Sequence, residues 1–377
     1  MPANSPVPGV PVPGFTDHHA HLLRQAAGVA TAAGPAAVRT FHQRVARQGS
    51  TPMDVLDPSS ALALPDLASR LVAGLRDAAR AGLVEVTEMG MRGWAYLDAL
   101  KQAAATGPLP ARVRIYLASG LADEAGLAGI EARRSAAAGP WLRLDGVKFY
   151  ADGWLVPRTC AVEEDFADTA DRGILFAAAT RLADRIRPLA SRGWRIATHA
   201  IGDRAVAAVL DAYDLAWDFD PAAIAVAAPR IEHASVLSRE LIDRMAAAGV
   251  VACIQPSFAV TDASQLVPAL GPARAARAYP WTELASSGVR VLAGSDYPIE
   301  VLDPLPGLTR LVSGASRRAG FATGGTAPGQ ALLPVQTAFG LMTDPAAGRT
   351  WLSADPRSGP AGQLDAITVL GTEPEPF

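Results

Sequence analysis

Two histidines one residue apart, His19 and His21, close the stretch Gly14-Phe15-Thr16-Asp17-His18-His19-Ala20-His21-Leu22. In an extended strand, residues i and i+2 face the same way, so these imidazoles project together while His18 and Ala20 face away. Two neutral imidazoles on one face can chelate a divalent ion. By itself the pair reads equally well as polar loop residues. Its weight comes from further along the chain, where Lys148, His199, His233 and Asp296 each fall at the end of a strand of their own. Four imidazoles and a carboxylate suit one or two borderline ions, with zinc the first expectation.

Lys148 is singled out by composition. Of 34 basic residues only Lys101 and Lys148 are lysine. A chain that otherwise uses arginine has little need of lysine as a generic cation. Unlike arginine, a buried lysine can shed its proton and act as an amine nucleophile. An ammonium would repel a metal. A carbamate made from the Lys148 amine and CO2 would instead act as a long carboxylate, and it needs an uncharged amine, favoured by burial and nearby cations.

The elements that must position these groups alternate regularly. Strands are read at about Phe15 to Leu22, Leu83 to Glu88, Val113 to Leu117, Leu144 to Tyr150, Trp194 to Thr198, Arg230 to His233, Val250 to Ile254 and Val289 to Ala293. Between them, helical spacing of apolar residues covers Leu64 to Ala81, 93–106, Ala122 to Ala138, Ile174 to Arg192, Asp203 to Trp217, Glu240 to Ala248 and a Pro-broken region, 264–287. Eight strands alternating with helices predict an α/β fold, a (β/α)8 TIM barrel with chemistry at the C-terminal strand ends. The expected division is a Pro-rich leader, 1–13, a barrel, 14–345, and a C-terminal tail, 346–377. Residues 24–63 read as a loop excursion, and the tail as a helix near Pro334 to Met342 followed by a strand, Leu364 to Leu370.

Bulk properties narrow the function. A net charge of -3 and the lack of a basic stripe argue against nucleic acid or an anionic membrane as partner. Cys160 and Cys253 are far apart, which excludes a disulfide framework and suits a reducing compartment. The start carries no signal-peptide pattern, and no apolar run would span a bilayer, so a cytoplasmic location is expected. The expected partner is a small-molecule substrate, and exposed apolar helix faces would be compatible with a homodimer.

Five segments together resemble a known family: Gly14 to His21; Val147-Lys148-Phe149-Tyr150-Ala151-Asp152-Gly153; His199-Ala200-Ile201-Gly202-Asp203-Arg204; Arg230-Ile231-Glu232-His233; and Gly294-Ser295-Asp296-Tyr297-Pro298. In this order they resemble the amidohydrolase superfamily, and within it the YtcJ-like group that includes N-substituted formamide deformylases. The resemblance runs from about Pro13 to Leu370. It implies that His19, His21 and Asp296 bind one metal, that His199 and His233 bind a second, and that carboxylated Lys148 bridges the two. The implied nucleophile is a hydroxide held by metals about 3.5–4 Å apart. Asp296 would orient it, take its proton and pass that proton to the leaving amine.

Relatives usually carry a β-sandwich built from both sides of the barrel. Only a short segment precedes Gly14, so that domain is expected to be reduced or absent, with the tail strand as its remnant. After Lys148 the chain reads Asp152-Gly153-Trp154-Leu155-Val156-Pro157-Arg158-Thr159, where relatives tend to have small residues, so Trp154 and Val156 are expected to reshape the pocket.

Further substrate-contact candidates are Glu88, Asp152, Trp154, Arg158 and Gln255, each near a strand end. Arg158, Arg204 and Arg230 are equally explained by ion pairs, Asp152-Gly153 by a turn, and Asp203 by a favourable charge in a helix's first turn. His18 is expected to pack against a helix, His42 to lie at the surface, and Cys253 to be a small core residue. The leading reading is a metal-dependent hydrolase of a non-peptide C–N bond in a formamide, linear amide or cyclic amide. The alternatives are an ester, lactone or phosphotriester hydrolase on the same site, or a catalytically silent metal-containing binding protein.

Overall fold

A computed structural model describes residues 9–26, 39–43, 46, 63–314 and 332–377. Residues 1–8 of the leader and most of the 24–63 excursion lie outside them. The eight expected strands are present, as β1 (Val10–Ala20), β2 (Leu83–Met91), β3 (Arg112–Ala118), β4 (Leu142–Tyr150), β5 (Arg195–Ala200), β6 (Arg230–His233), β7 (Val251–Ile254) and β8 (Val291–Ala293). Each pairs in parallel with the next, and most residues along them are buried. Strands covered on both faces read as apolar runs for this reason.

Helices return the chain between strands. The helix before β2, α2 (Leu64–Arg80; α1 is the short Leu22–Ala26), buries Leu67, Leu71, Leu75 and Ala78, a stripe at spacings of three and four that faces the sheet. The helix between β6 and β7 spans Arg239–Ala248. It starts on the Ser238 hydroxyl, which accepts from Leu241 N, and stops at Gly249 in the left-handed region.

Between β1 and β8 the sheet has no ladder, and the two strands are joined in other ways. Toward their N-terminal side, Thr16 N donates to Met342 O (2.8 Å) and Ala293 N to Leu341 O (2.9 Å), so the Leu341–Met342 turn fills the gap. At the C-terminal ends, Asp296 N donates to His19 O and His21 N to Tyr297 O, both at 2.7 Å. Asp17 adds a clasp, its Oδ1 accepting from His19 N and Ser295 N at 3.0 Å each. The approach is so close that a Cβ at Gly294 would lie 2.4 Å from His19 N. Gly294→Ala is therefore expected to cost roughly 1–3 kcal/mol by overpacking, read as a lower urea midpoint. An unchanged midpoint would show that these strand ends separate freely.

Several boundaries differ from the sequence-based expectation, each for a physical reason. The helix expected from Ile174 begins at Ala179, because the segment before it is drawn into the loop over the strand ends. The region 264–287 splits into Ala263–Ala275, kinked at Gly271 before Pro272, and Trp281–Ser286. The tail strand lies later than expected: Ala361–Ala366 is a 3-10 turn and β10 is Val369–Pro374. An unforeseen strand, β9 (Thr343–Leu352), pairs antiparallel with both β10 and the first half of β1. Pro345 and Gly348 hide it in the sequence, and distant partners make it a strand. β10, β9 and the first half of β1 thus form an antiparallel extension of the same sheet. Among the described residues, no helix is long and apolar enough to cross a membrane.

Candidate metal centre

The C-terminal ends of the parallel strands bring the expected ligands together. The ring centroids of His199 and His233 are 4.4 Å apart, those of His19 and His233 5.0 Å, and those of His19 and His21 5.4 Å. Asp296 Oδ1 lies 3.4 Å from His19 Nε2 and 3.2 Å from His21 Nε2. Potential ligand atoms of His19, His21 and Asp296 all fall within 4.8 Å of one another. His233 and Asp296 both adopt left-handed backbone, at φ 79° and 56°. Strain of this kind in non-glycine residues is tolerated where the surroundings impose it, typically at functional sites.

Three of the four imidazoles are oriented from behind, and the fourth, His21, meets Asp296 through Nε2. His19 Nδ1 donates to Glu232 Oε2 (2.6 Å), His233 Nδ1 to Gln255 Oε1 (2.7 Å) and His199 Nε2 to the Gly153 carbonyl (3.0 Å). With one ring nitrogen carrying the proton, the other presents a lone pair. Metal-bound histidines are held in this way by carboxylate or carbonyl partners. Burial, with Lys148 adding to it, pushes His19 well below the usual imidazole range, and burial does the same to His233 and lowers His21. Burial alone would raise the Asp296 carboxyl, but His19, His21 and Lys148 outweigh it and leave Asp296 below its ordinary value.

Lys148 is fully buried, and among the described residues its Nζ has no hydrogen-bond partner, only the Tyr150 ring at 5.2 Å to its centroid. Burial pulls it down to about 8 against the attraction of Glu232 and Asp296. An orphaned amine beside a cluster of lone pairs and a carboxylate is costly without a further partner. The donor set therefore fits a divalent cation.

Glu232 is absent from the sequence-based candidates, yet it stands behind His19. Its carboxylate takes Arg230 Nε at 2.8 Å and Arg230 Nη2 at 3.0 Å besides the His19 ring. Burial would raise Glu232, but Arg230 and Lys148 hold it below the ordinary range. Arg230 also donates to His18 O (2.8 Å), so it ties β6 to β1. The signal was present in β6, where Arg230 and Glu232 are two apart and share a face. A second grouping, His19, Glu232 and Cys253, also has ligand-type atoms within 4.8 Å. Arg230 occupies that carboxylate and burial pushes the Cys253 thiol well up, so this grouping is packing around an ion pair.

The other candidates are mostly committed to the protein. Glu88 Oε2 accepts from Leu23 N (2.9 Å) and holds the turn after β1. Asp152 accepts from Ala161 N, Ile201 N and Gly202 N, tying the loop after β4 to the end of β5. Arg158 forks onto Asp168 and also reaches Leu155 O, Val156 O and Gln265 Oε1, so the ion-pair reading holds. Gln255 orients His233. Trp154 is 38% exposed and meets His42 edge-on. His42 itself is a correction: expected at the surface, it is buried among Trp154, Phe176 and Thr159.

A sequence description of the Amidohydrolase family matches residues 47–354. The chain is similar to the putative amidohydrolase YtcJ of Bacillus subtilis (strain 168), 31% identical over 238 residues, which cover 63% of this chain and 44% of that protein. It thus spans under half of that relative's length. Among solved structures, an uncharacterized metal-dependent hydrolase from Pyrococcus horikoshii OT3 superposes with a TM-score of 0.67 at 19% identity, covering 96% of this chain and 83% of the other. Atrazine chlorohydrolase TrzN from Arthrobacter aurescens TC1, complexed with zinc, superposes with a TM-score of 0.52 at 15% identity, covering 96% and 81%. At these identities the likeness to solved structures is one of fold.

Proposed function

Because the chain belongs to the amidohydrolase family, we propose that it is a metal-dependent hydrolase of a small molecule, cleaving a non-peptide C–N bond in a formamide, linear amide or cyclic amide. The observation that carries the reading is the convergence of His19, His21 and Asp296 with His199 and His233, each ring turned by a partner behind it or by Asp296. His19, His21 and Asp296 would hold one divalent ion, zinc by donor chemistry, and His199 and His233 a second. Such an ion polarises a carbonyl oxygen and lowers the pKa of water toward neutrality.

The chain's own residues supply the rest. Asp296, kept ionised by its imidazole neighbours, accepts a proton at its carboxylate from the attacking water and returns it to the leaving nitrogen. The uncharged fraction of the Lys148 amine, enlarged by burial, would add to CO2 through a new N–C bond with release of one proton, and the carbamate would supply oxygen ligands. Supporting this is the buried Nζ, which has no hydrogen-bond partner among the described residues and a lowered pKa. Glu232 holds the His19 ring. Glu232→Gln is expected to weaken metal binding by about 10–100-fold, the usual cost of losing such a partner. Competition with a chromophoric chelator reads this directly; unchanged affinity would remove Glu232 from the site.

The test of the reaction class is a substrate panel of N-substituted formamides, linear amides, lactams, esters, lactones and phosphotriesters on metal-loaded protein. Turnover of the C–N members is the expected outcome. Turnover confined to esters, lactones or phosphotriesters would reassign the reaction on the same site. No turnover of any member by a folded, loaded sample would favour a binding protein.

A further inference from the structure

Residues 39–43, which follow the first strand by a long excursion, dock on the loop after β4. Arg39 Nη1 donates to Arg158 O (3.0 Å), and its Nη2 ion-pairs with Asp171. His42, only 2% exposed, contacts Thr159 Oγ1 through Nδ1 at 2.9 Å. That same hydroxyl lies 3.2 Å from Trp154 O and accepts from Trp154 N (2.9 Å). A threonine hydroxyl has one proton and two lone pairs. Trp154 O also accepts from Thr159 N (2.9 Å) and Cys160 N (3.0 Å), so the hydroxyl is held between the Trp154 backbone and His42 Nδ1, and either the hydroxyl or the ring N–H can donate in the His42 bond.

The next residue back is Gly153, whose carbonyl accepts from His199 Nε2 at 3.0 Å. Gly153 is wedged against the same pair of groups. A Cβ there would lie 2.3 Å from Thr159 Oγ1 and 2.6 Å from His42 Nδ1. The carbonyl that keeps the proton on His199 Nε2 is therefore placed by a short chain of contacts: His42, Thr159, the Trp154 backbone and Gly153.

We propose that His42 is a positioning residue for His199. Its bond to Thr159, together with the Gly153 N to Thr159 O bond (3.2 Å), holds the Gly153 carbonyl at His199 Nε2, where with Asp152 Oδ1 at 3.4 Å it leaves the lone pair on Nδ1. The inference rests on the reading of His199 as a metal ligand. No free substrate or solvent-borne proton is involved. His42 acts through the loop, from a segment far from β5 in sequence.

The test is zinc titration, by calorimetry, of metal-free wild type, His42→Phe, His42→Asn and Thr159→Val, with melting curves run on each. Phenylalanine keeps a ring but no donor. Asparagine places its amide nitrogen near the former Nδ1 and can still donate to Thr159 Oγ1. In His42→Phe and Thr159→Val the more weakly bound zinc equivalent is expected to lose about 10–100-fold in affinity. His42→Asn is expected to bind as wild type does. That rescue separates a positioning bond from mere filling of space. If His42→Phe does not fold, Thr159→Val carries the comparison with His42→Asn. Wild-type affinity in both the Phe and Val variants, or a loss in His42→Asn as large as in His42→Phe, would overturn the proposal. A wild-type protein that takes up no zinc would instead overturn the site reading beneath it.

Discussion

Asp296→Asn is expected to lower kcat by at least about 10²-fold, the lower end of what a positioned acid–base group contributes. The substitution keeps the size of the side chain but removes its charge and its ability to take a proton. Both matter here. Oδ1 lies within 3.4 Å of His19 Nε2 and 3.2 Å of His21 Nε2, so the carboxylate also belongs to a triplet that could hold a metal ion. Its ionised state is secured by those imidazoles and Lys148 against the upward push of burial. Steady-state kinetics should be paired with metal content on the same sample. Lost turnover with metal retained isolates the proton-transfer role. Lost turnover with lost metal assigns Asp296 chiefly to holding the ion. Activity within a few-fold of wild type, with metal in place, would remove it from the mechanism.

Lys148→Ala carries the other large effect. The variant is expected to lose bridged-metal binding and nearly all turnover, and to regain part of both when short carboxylic acids such as formate or acetate are added. Deleting the side chain opens a buried space at the center of the site, and a small carboxylate can supply there the oxygens a carbamate would have supplied. A plain structural lysine is the poorer alternative because, among the described residues, a fully buried ammonium there would have the Tyr150 ring beside it but no hydrogen bond. Normal metal content in the variant, with no response to added acids, would establish the structural role instead.

The strands were legible in the sequence because each is a short, largely apolar run set between helical stretches. His19, His199 and His233 needed only the strand periodicity and the rule that chemistry gathers at C-terminal ends. Groups that act on those residues from behind were less legible. Glu232 looked like one more charge in a strand, yet Arg230 two residues earlier makes it a buried pair with a third partner, His19, more than two hundred positions away. Arg158 was open between substrate and ion pair, and its fork on Asp168 depends on a left-handed turn at Arg158 itself. His42 was misjudged because its burial comes from Trp154, Thr159 and Phe176, none of them local. The same holds for β9, whose composition is poor for a strand but whose two edges are both paired. Periodicity reports which face a residue uses; it does not report what arrives at that face from elsewhere.

The most direct measurement is metal content per chain, by elemental mass spectrometry, on protein purified without chelator. Near two equivalents of zinc or a similar divalent ion are expected, falling on removal of His19, His199 or Lys148. No bound metal, with no uptake on reconstitution of a folded sample, would contradict the claim that these strand ends form a metal centre.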